Sequence, residues 1–338
     1  MEYDPDSLTY LKVIPSFTCS RGCHYCYNVK LGQETEMDAA ATRVAMQRVL
    51  AAATHPFVVE IIGGEPLEPP ALGVTISLLR ELDDHPKCAG TVVSTAVASP
   101  FILDRILPSV ARIYLSVDVS ASRANRKVLS TSRLASVARR CRAYDVDLFL
   151  STVLFGDETS ESLERFVRDA ADAGVNHVGF SHQTATPLDS DAIQVAIGQY
   201  YELFRLRLMY SGRIAVVGTI LDSVELSVVG GRRTASCECG SKSIVIEPDG
   251  ALVPGLCADH RDARVSVHDF RAVRSERNVA LLGGACGSCS LWPVCQGGCA
   301  FEGMRTNGSL LERDETQCRV MLGVTERVAR DIAKVRAT

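Results

Sequence analysis

The sequence predicts an α/β protein in which an open, partial (β/α)6 barrel is followed by a C-terminal cysteine-rich extension. Two observations support this fold class. Up to about residue 212, short β-rich runs alternate with stretches of helical periodicity, which is the pattern of βαβ units around a parallel sheet. The 13 cysteines of the 338-residue chain are concentrated towards its two ends: three lie before residue 27, eight lie after residue 236 and two lie between.

Six β-rich runs follow one another along the barrel region. They are Leu11–Phe17, Phe57–Ile62, Thr91–Thr95, Arg112–Val117, Asp147–Leu154 and Val175–Ser181. The helical patterns cover residues 37–53, 70–85, 99–107, 131–144, 159–173 and 190–211. Six units are fewer than the eight of a closed barrel, so we expect an open one, with its chemistry at the carboxyl ends of the strands.

The composition divides the chain into three predicted segments. Residues 1–212 form the barrel, 213–235 a bridging segment and 236–338 the cysteine-rich extension, where hydrophobic periodicity weakens. Within the extension, the run from Ile244 to Val253 predicts a β-hairpin that turns at Pro248-Asp249-Gly250.

Charge and hydropathy argue against a nucleic-acid-binding or membrane protein. A chain of this length buries a sizeable core without crosslinks, and its net charge of −4 gives no support to nucleic-acid or membrane-surface binding. The acidic start lacks a signal peptide. The apolar stretch Ile214–Gly231 contains Asp222 and Glu225, which argues against a membrane span. We therefore expect a cytoplasmic enzyme, whose cysteines serve metal binding or catalysis rather than disulfides.

The two isolated cysteines are predicted to be packing residues. Cys141 shares one helical face with Leu134, Val137, Ala138 and Tyr144. Cys88 comes just before the third β-rich run, at the end opposite the predicted site. Small buried cysteines commonly behave as hydrophobic residues.

The first cysteine group has the spacing C-x3-C-x2-C, formed by Cys19, Cys23 and Cys26. Three thiolates this close can hold one iron–sulfur cluster, and a 4Fe–4S cluster with three cysteine ligands keeps one iron open to a substrate or cofactor. The alternative is a zinc loop, which needs a fourth ligand. His24 is adjacent, but its cysteine neighbours make simultaneous ligation awkward.

A second motif, Gly63-Gly64-Glu65-Pro66, follows the second β-rich run. Its glycines allow close approach of the backbone, and its carbonyls and Glu65 can accept hydrogen bonds from an ammonium group. Alone it could be an ordinary turn, but here it comes one βα unit after the cysteine loop.

Together these two motifs resemble the radical S-adenosylmethionine (SAM) superfamily. The resemblance implies that the open iron chelates SAM, and that cleavage of SAM gives a 5′-deoxyadenosyl radical that abstracts hydrogen from an unactivated C–H bond. It also implies that residues 63–66 hold the methionine amino group and that Tyr25 lies near the adenine. Ser116 and Ser151 are candidate contacts for the ribose or carboxylate, or plain strand serines.

The second cysteine group is dense and lies in the extension. It comprises Cys237, Cys239, Cys257, Cys286, Cys289, Cys295, Cys299 and Cys318. A zinc ribbon is the alternative reading of its C-x2-C pair. The central C-x2-C-x5-C-x3-C pattern resembles the SPASM extension of radical SAM enzymes, which holds two auxiliary 4Fe–4S clusters.

The SPASM resemblance implies a ligand set for each auxiliary cluster, so that the chain would hold three 4Fe–4S clusters in all. Cys239, Cys257 and Cys299 would bind the first. Cys286, Cys289, Cys295 and Cys318 would bind the second. Cys237 is the candidate fourth ligand of the first cluster, because both side chains of an extended Cys-x-Cys point the same way; an open site there is the alternative.

Two strand ends depart from the family pattern. Val119 follows Asp118 where the family usually has glycine, and Thr95-Ala96-Val97 replaces an expected Asn-Gly. Both changes lie at the barrel mouth and indicate a distinctive substrate pocket. Asp118 and His182 are the candidate acid–base residues, although Asp118 could instead cap a helix or touch the ribose, and His182 could be a hydrogen-bonded loop residue.

The resemblance leads to three functional hypotheses. The first is oxidative modification of a ribosomally made peptide by crosslinking, oxidation or epimerisation. Because the first strand begins near Leu11, any leader recognition would need a separate leader-binding protein. The second is a dehydrogenase, epimerase or decarboxylase of a sugar, aminoglycoside or nucleoside-like metabolite. The third is a non-catalytic metal scaffold. Either enzyme would need an external electron donor of the flavodoxin or ferredoxin type.

Overall fold

The computed structural model describes most of the chain. The described residues are 4–23, 25–26, 38–119, 129–182, 188–233, 238–255, 266–284 and 286–337. They form two compact units. The first comprises Met1–Ser151, Ala170–His177 and Glu238–Arg271, and the second comprises Thr152–Asp169, Val178–Cys237 and Ala272–Thr338. The domain boundaries expected from the sequence stay a prediction.

The first unit is built on a mostly parallel sheet. Its strands are β1 (Tyr10–Val13), β2 (Phe57–Ile61), β3 (Cys88–Thr95), β4 (Arg112–Ser116), β5 (Asp147–Leu154), β8 (Ser243–Ile246) and β9 (Leu252–Val253). They pair in the order β5-β4-β3-β2-β1-β8-β9, and every pairing is parallel except that of β8 with β9. The prediction of an α/β fold with a parallel sheet is therefore confirmed.

Helices connect the parallel strands, as the alternation in the sequence predicts. They are α1 (Ala39–Ala52), α2 (Ala71–Leu82), α3 (Pro100–Ile106), a short 3-10 helix (Leu107–Ser109) and α4 (Thr131–Ala143). The Asp38 carboxylate caps α1 by accepting from the Ala40 and Ala41 amides. The Ser130 hydroxyl accepts from the Arg133 amide at the start of α4. Such caps satisfy amides that the first helical turn leaves without intrahelical partners.

One face of the sheet is mostly aliphatic, and burial of this face favours folding of the unit. Leu11, Val59, Val93, Ile113 and Leu148 are fully buried or nearly so. Because side chains alternate along a strand, their neighbours in sequence point to the other face. The burial of the aliphatic set is the main contribution to the stability of this unit.

The isolated cysteines behave largely as the sequence predicts. Cys141 is buried on α4 beside Leu134, Val137 and Ala138. Tyr144, however, does not share that buried face: it is the C-terminal cap of α4 and is 46 % exposed. The helix ends before Tyr144, so the periodicity no longer positions it. Cys88 is the first residue of β3 rather than a residue before it.

The predicted hairpin is confirmed. Strands β8 and β9 pair in antiparallel register through Val245–Val253 and Ile246–Leu252. Gly250 has a φ of +81°, a conformation that glycine adopts without steric cost, and its amide donates to the Glu247 carbonyl (2.9 Å). This hairpin joins the sheet because β8 pairs with β1.

The second unit contains two further strands and most of the remaining helices. Its elements are β6 (His177–His182), β7 (Ala215–Val217), α5 (Ser160–Ala173), α6 (Ser190–Met209), α7 (Thr219–Val228), α8 (Val267–Gly283), α9 (Trp292–Cys295), α10 (Ala300–Asn307) and α11 (Glu315–Ala337). Four elements, β5, β6, α5 and α8, have residues in both units. Helix α11 packs against α6 and α7. No helix in the described part of the chain is both long and apolar enough to span a bilayer.

Candidate active site

The first cysteine group lies in the loop that follows β1. The Cys26 amide donates to the Cys23 carbonyl (2.9 Å), and Gly22 has a φ of +58°, so the loop turns tightly between Cys19 and Cys26. Cys23 is buried, whereas Cys19 and Cys26 are partly exposed. Burial raises the pKa of the Cys19 thiol, and the nearby carboxylate of Glu65 raises it further.

The cysteine loop is tethered to the segment that precedes α2. The Ser20 hydroxyl donates to the Glu68 carboxylate (2.6 Å), and the Arg21 guanidinium forms an ion pair with the same carboxylate (3.4 Å). At the start of the loop, the Thr18 amide donates to the Ser16 hydroxyl (3.0 Å). These contacts fix the loop at the carboxyl end of β1, where the fold class predicts the chemistry.

The two glycines of the Gly63-Gly64-Glu65-Pro66 turn are required by direct backbone contact with the cysteine loop. The Gly64 amide donates to the Ser16 carbonyl and the Glu65 amide to the Thr18 carbonyl, each at 2.9 Å. A Cβ atom on Gly64 would lie 2.1 Å from the Thr18 carbonyl oxygen, and one on Gly63 would lie 2.6 Å from the Ile14 side chain. Gly63 also has a φ of +138°, which strongly favours glycine. The sequence motif and the cysteine loop therefore form one structural unit.

The Glu65 side chain joins the ends of β2 and β3. One carboxylate oxygen accepts from the Thr95 hydroxyl (2.5 Å) and the Leu67 amide (3.2 Å), and the other accepts from the Ala96 amide (2.8 Å). The side chain is only 3 % exposed, and burial raises the pKa of its carboxyl. Thr95 and Ala96, which stand where the family pattern has Asn-Gly, thus hold Glu65 in place. That Glu65 also accepts from the amino group of SAM stays a prediction.

We expect Glu65→Gln to lower the free energy of unfolding by about 1–3 kcal/mol, because an amide NH2 would replace an acceptor that faces buried donors. Urea denaturation of the full-length protein, followed by circular dichroism, measures this. The control is Glu161→Gln, whose side chain is 86 % exposed in an i,i+4 pair with Arg165 and should change stability by less than about 0.5 kcal/mol. Equal effects of the two substitutions would contradict the bridging role.

Tyr25 and Asp118 form a second polar contact near the cysteine loop. The Tyr25 hydroxyl donates to the Asp118 carboxylate (3.1 Å), and Asp118 is 4 % exposed. Ser116, at the end of β4, is in register with Ser151 of β5. Because register partners in a parallel sheet point to the same face, these two predicted contact residues lie side by side. Their roles toward SAM stay predictions.

The sheet face that carries Ser116 and Ser151 is polar, in contrast to the aliphatic face. Lys12 is in register with Glu60 and forms an ion pair with it (3.6 Å). The Ser94 hydroxyl donates to the same Glu60 carboxylate. Sequence reasoning missed this face, although a single charged residue within each of the otherwise uncharged strands β1 and β2 was its signal.

The polar face continues onto β4 and β5. Tyr114 packs edge-on against Phe149, with ring centroids 4.7 Å apart, and Arg112 pairs with Asp147 (2.8 Å). Successive residues on one face of a strand are about 6–7 Å apart. Tyr114 therefore lies about that distance from Ser116 along β4, towards the amino end of the strand. Its hydroxyl and the Arg112–Asp147 pair supply hydrogen-bonding groups on the same face of the sheet.

His182, the other candidate acid–base residue, is the last residue of β6 in the second unit. Its Nδ1 lies 3.2 Å from the hydroxyl of Tyr200, and their rings meet edge-on. Burial raises the pKa of the Tyr200 hydroxyl. His182 is thus a hydrogen-bonded strand-end residue, and its role as a proton donor or acceptor stays a prediction.

The second cysteine group is divided between the two units. Cys239 belongs to the first unit, and a Cβ atom on Gly255 would lie 2.7 Å from its sulfur, so Gly255 leaves room for the thiol. Cys237 and Cys257 lie outside the described residues. The other five cysteines lie in the second unit.

Four thiols of the second unit are brought together, and they are the four that the SPASM resemblance assigns to one cluster. Burial and, after it, the neighbouring thiols of Cys318, Cys286 and Cys289 together raise the pKa of Cys295 to about 11. Burial likewise raises the pKa of Cys318, and the nearby thiols of Cys289 and Cys286 contribute to the increase. Cys299 is the N-terminal cap residue of α10. None of the eleven cysteines in the described ranges forms a disulfide.

The donors of both cysteine groups are thiols, which are the ligands that hold 4Fe–4S clusters. Among the described residues, no group of three or more His, Cys, Asp or Glu side chains is arranged to hold a metal ion. Gly255 leaves space beside the Cys239 thiol, which a larger residue would fill. Gly63 and Gly64 allow the turn to pack directly against the segment that precedes the first cysteine loop.

The family comparison gives a direct match over the barrel region. The model of the radical SAM superfamily matches residues 13–170, a range that includes both the cysteine loop and the Gly63–Pro66 turn. Residues 13–170 are a radical SAM domain. A search of curated protein sequences finds no match to the chain.

Solved structures from the comparison share the fold of this chain. Native anSMEcpe with bound AdoMet and Cp18Cys peptide aligns with a TM-score of 0.70 and 17 % identity, over 96 % of this chain and 98 % of that one. Streptococcus suis SuiB bound to S-adenosylmethionine aligns with a TM-score of 0.63 and 14 % identity, over 92 % and 77 %. SuiB bound to precursor peptide SuiA aligns with a TM-score of 0.62 and 15 % identity, over 92 % of this chain and 76 % of that one.

Proposed function

We propose that this radical SAM enzyme generates a 5′-deoxyadenosyl radical and uses it for the oxidative modification of a ribosomally made peptide. The observation that carries the proposal is the backbone pairing between the cysteine loop and the Gly63–Pro66 turn, at the carboxyl ends of β1 and β2. This pairing supports the proposal because it joins the segment of the proposed cluster ligands to the proposed SAM-binding turn.

The residues of the first unit would bind and orient SAM. Cys19, Cys23 and Cys26 would hold a 4Fe–4S cluster, which supplies the electron for reductive SAM cleavage when it is bound. The Gly63 and Gly64 backbone would face the methionine end of SAM, and Tyr25, fixed by Asp118, would face the adenine. Ser116 and Ser151 would lie beneath the ribose or carboxylate.

The extension would hold two auxiliary 4Fe–4S clusters of the SPASM type. The proximity of Cys286, Cys289, Cys295 and Cys318 supports the second of these. Cys239 and Cys299, with Cys257 and Cys237, are the proposed ligands of the first. Net oxidation of a substrate releases electrons, and auxiliary clusters are suited to accept them.

A peptide substrate is supported by two considerations. Structures that share the fold include SuiB bound to precursor peptide SuiA and anSMEcpe with a bound peptide. The polar sheet face around Lys12, Glu60 and Tyr114 offers groups that can hydrogen-bond to peptide amides. A flavodoxin- or ferredoxin-type donor, a separate leader-binding protein and a cytoplasmic location complete the proposal. A polar sugar-like metabolite is the second candidate substrate, because the same hydrogen-bonding face would also receive hydroxyl groups.

Anaerobic reconstitution tests the proposal. We expect about twelve irons per chain, the content of three 4Fe–4S clusters, and release of 5′-deoxyadenosine from SAM when a reductant is added. Iron analysis and liquid chromatography measure the two quantities. Bound zinc, or about four irons only, would contradict the two auxiliary clusters. Incubation with short peptides encoded beside the gene, compared with sugar-nucleotide substrates, distinguishes the two substrate classes by mass change.

A further inference from the structure

A buried arginine lies at the centre of the cysteine-rich region and is not explained by the proposed ligand sets. Arg277 is on α8 and is 4 % exposed. Its guanidinium donates to three main-chain carbonyls: those of Gln296 (3.3 Å), Gly297 (2.6 Å) and Glu312 (3.1 and 3.2 Å). Burying an arginine is costly unless its donors are satisfied, so these contacts indicate a specific role.

The three carbonyls belong to the two segments that carry predicted cluster ligands. Gln296 and Gly297 form the turn between Cys295 and Cys299. Glu312 lies just before α11, the helix that carries Cys318. Arg277 therefore acts as a clamp that holds the turn between Cys295 and Cys299 against the segment that leads into α11, the helix that carries Cys318.

The backbone around the clamp is adapted to the arginine. Gly297 has a φ of +79°, and a Cβ atom there would lie 2.3 Å from Leu281 and 3.1 Å from the Arg277 guanidinium. The Gly297 carbonyl also accepts from the Asp314 amide (2.9 Å), and the Asp314 carbonyl accepts from the Cys318 amide (3.0 Å). A continuous hydrogen-bond path thus leads from Arg277 to the backbone of Cys318.

The guanidinium also places a positive charge among the thiols. Burial lowers the pKa of Arg277, and the nearby Cys299, Asp314, Cys295 and Cys286 groups oppose that effect. An arginine stays protonated under any ordinary condition. The carbonyls accept its hydrogen bonds without cancelling its charge, and the buried Asp314 carboxylate offsets part of that charge. The remaining positive field acts on the neighbouring thiols.

We propose that Arg277 is a positioning residue that preassembles the Cys295–Cys299 turn and the Cys318 segment and raises the reduction potential of the auxiliary cluster held there. This inference rests on the proposed function, since it assumes that these cysteines bind an iron–sulfur cluster. The positive charge favours the reduced cluster, which carries one more negative charge than the oxidised form. A higher potential in turn favours acceptance of an electron during substrate oxidation.

A redox titration tests the electrostatic part. The Cys19, Cys23 and Cys26 triple alanine variant leaves the auxiliary clusters as the iron sites of the reconstituted chain. In this background, electron paramagnetic resonance should show a more negative midpoint potential for Arg277→Gln than for the triple variant alone, which is the parent here. Arg277→Lys keeps the charge, so its midpoint potential should be closer to that of the parent. Arg330→Gln, an exposed arginine on α11, is the matched control and should leave the potential unchanged. A Gln variant with the potential of the parent would overturn this part.

Hydrogen exchange tests the positioning part without any iron. In the full-length, metal-free chain under reducing conditions, the Asp314 and Cys318 amides should exchange slowly. In Arg277→Gln and Arg277→Lys they should exchange about tenfold faster or more, because a lost clamp lets the segments open locally. Fast exchange at both amides in the parent chain, or equal rates in parent and variants, would overturn preassembly.

The two measurements separate this inference from the proposed function. If the triple cysteine variant binds no iron, the auxiliary clusters of the proposed function are wrong, and so is the effect of Arg277 on a potential. If it binds about eight irons but the Arg277 variants match the parent in both assays, the proposed function stands and the role of Arg277 is wrong.

Discussion

Replacing Cys19, Cys23 and Cys26 together by alanine is expected to abolish reductive cleavage of SAM, to at least about a thousandfold below the parent rate, because the chemistry needs the bound cluster. The iron content should fall from about twelve to about eight per chain, since the extension keeps its own cysteines. Release of 5′-deoxyadenosine by the anaerobically reconstituted variant, measured beside its iron content, tests both expectations.

Cys88→Ala provides the control for this experiment. Cys88 is a partly exposed thiol at the start of β3, and its loss should leave both iron content and SAM cleavage unchanged. Cleavage that persists in the triple variant would show that the first cysteine loop is not the site of radical formation. A loss of all iron in the triple variant would show that the extension holds no cluster of its own.

Gly64→Ala is expected to have the second largest effect. The added methyl would lie 2.1 Å from the Thr18 carbonyl, so the turn and the cysteine loop must separate. Overpacking of this kind costs about 1–3 kcal/mol of folding free energy. It would also disturb the backbone that faces SAM, so we expect SAM affinity to fall about tenfold or more. Thermal unfolding and equilibrium SAM binding measure the two effects.

Gly73→Ala is the matched control, because it makes the same substitution where no atom lies within 4 Å of the new methyl. Gly73 is exposed within α2, and alanine there should stabilise the protein by about 0.5–1 kcal/mol. If Gly64→Ala and Gly73→Ala had the same effect on SAM binding, the close contact between turn and loop would have no functional importance.

The order of the barrel elements could be predicted from the sequence because it depends on local patterns. β-rich runs and helical stretches alternate, and the structure places strands and helices at those positions, with end points that differ by a few residues. Helix α11 was not predicted. The regular helical pattern is weak beside the many cysteines and glycines of the extension, and packing of α11 against α6 and α7 stabilises it instead.

The cysteine loop and the Gly63–Pro66 turn could be predicted because each is a contiguous motif. The residues that hydrogen-bond to these motifs could not be predicted, because they lie in segments that are distant in the sequence. The Thr95 hydroxyl reaches Glu65 across 30 positions of the chain. Arg277 reaches Glu312 across 35 positions. No local spacing marks either pair, so only the fold reveals them.

The pairing of β8 with β1 has a consequence for how the protein is made. Strand β1 lies between β2 and β8, so its second edge stays unpaired until residues 243–246 have left the ribosome. The first cysteine loop is attached to that incomplete strand. The strand that carries the first cysteine loop therefore gains its second neighbour only after most of the chain has been made, a non-local pairing of the kind that forms slowly.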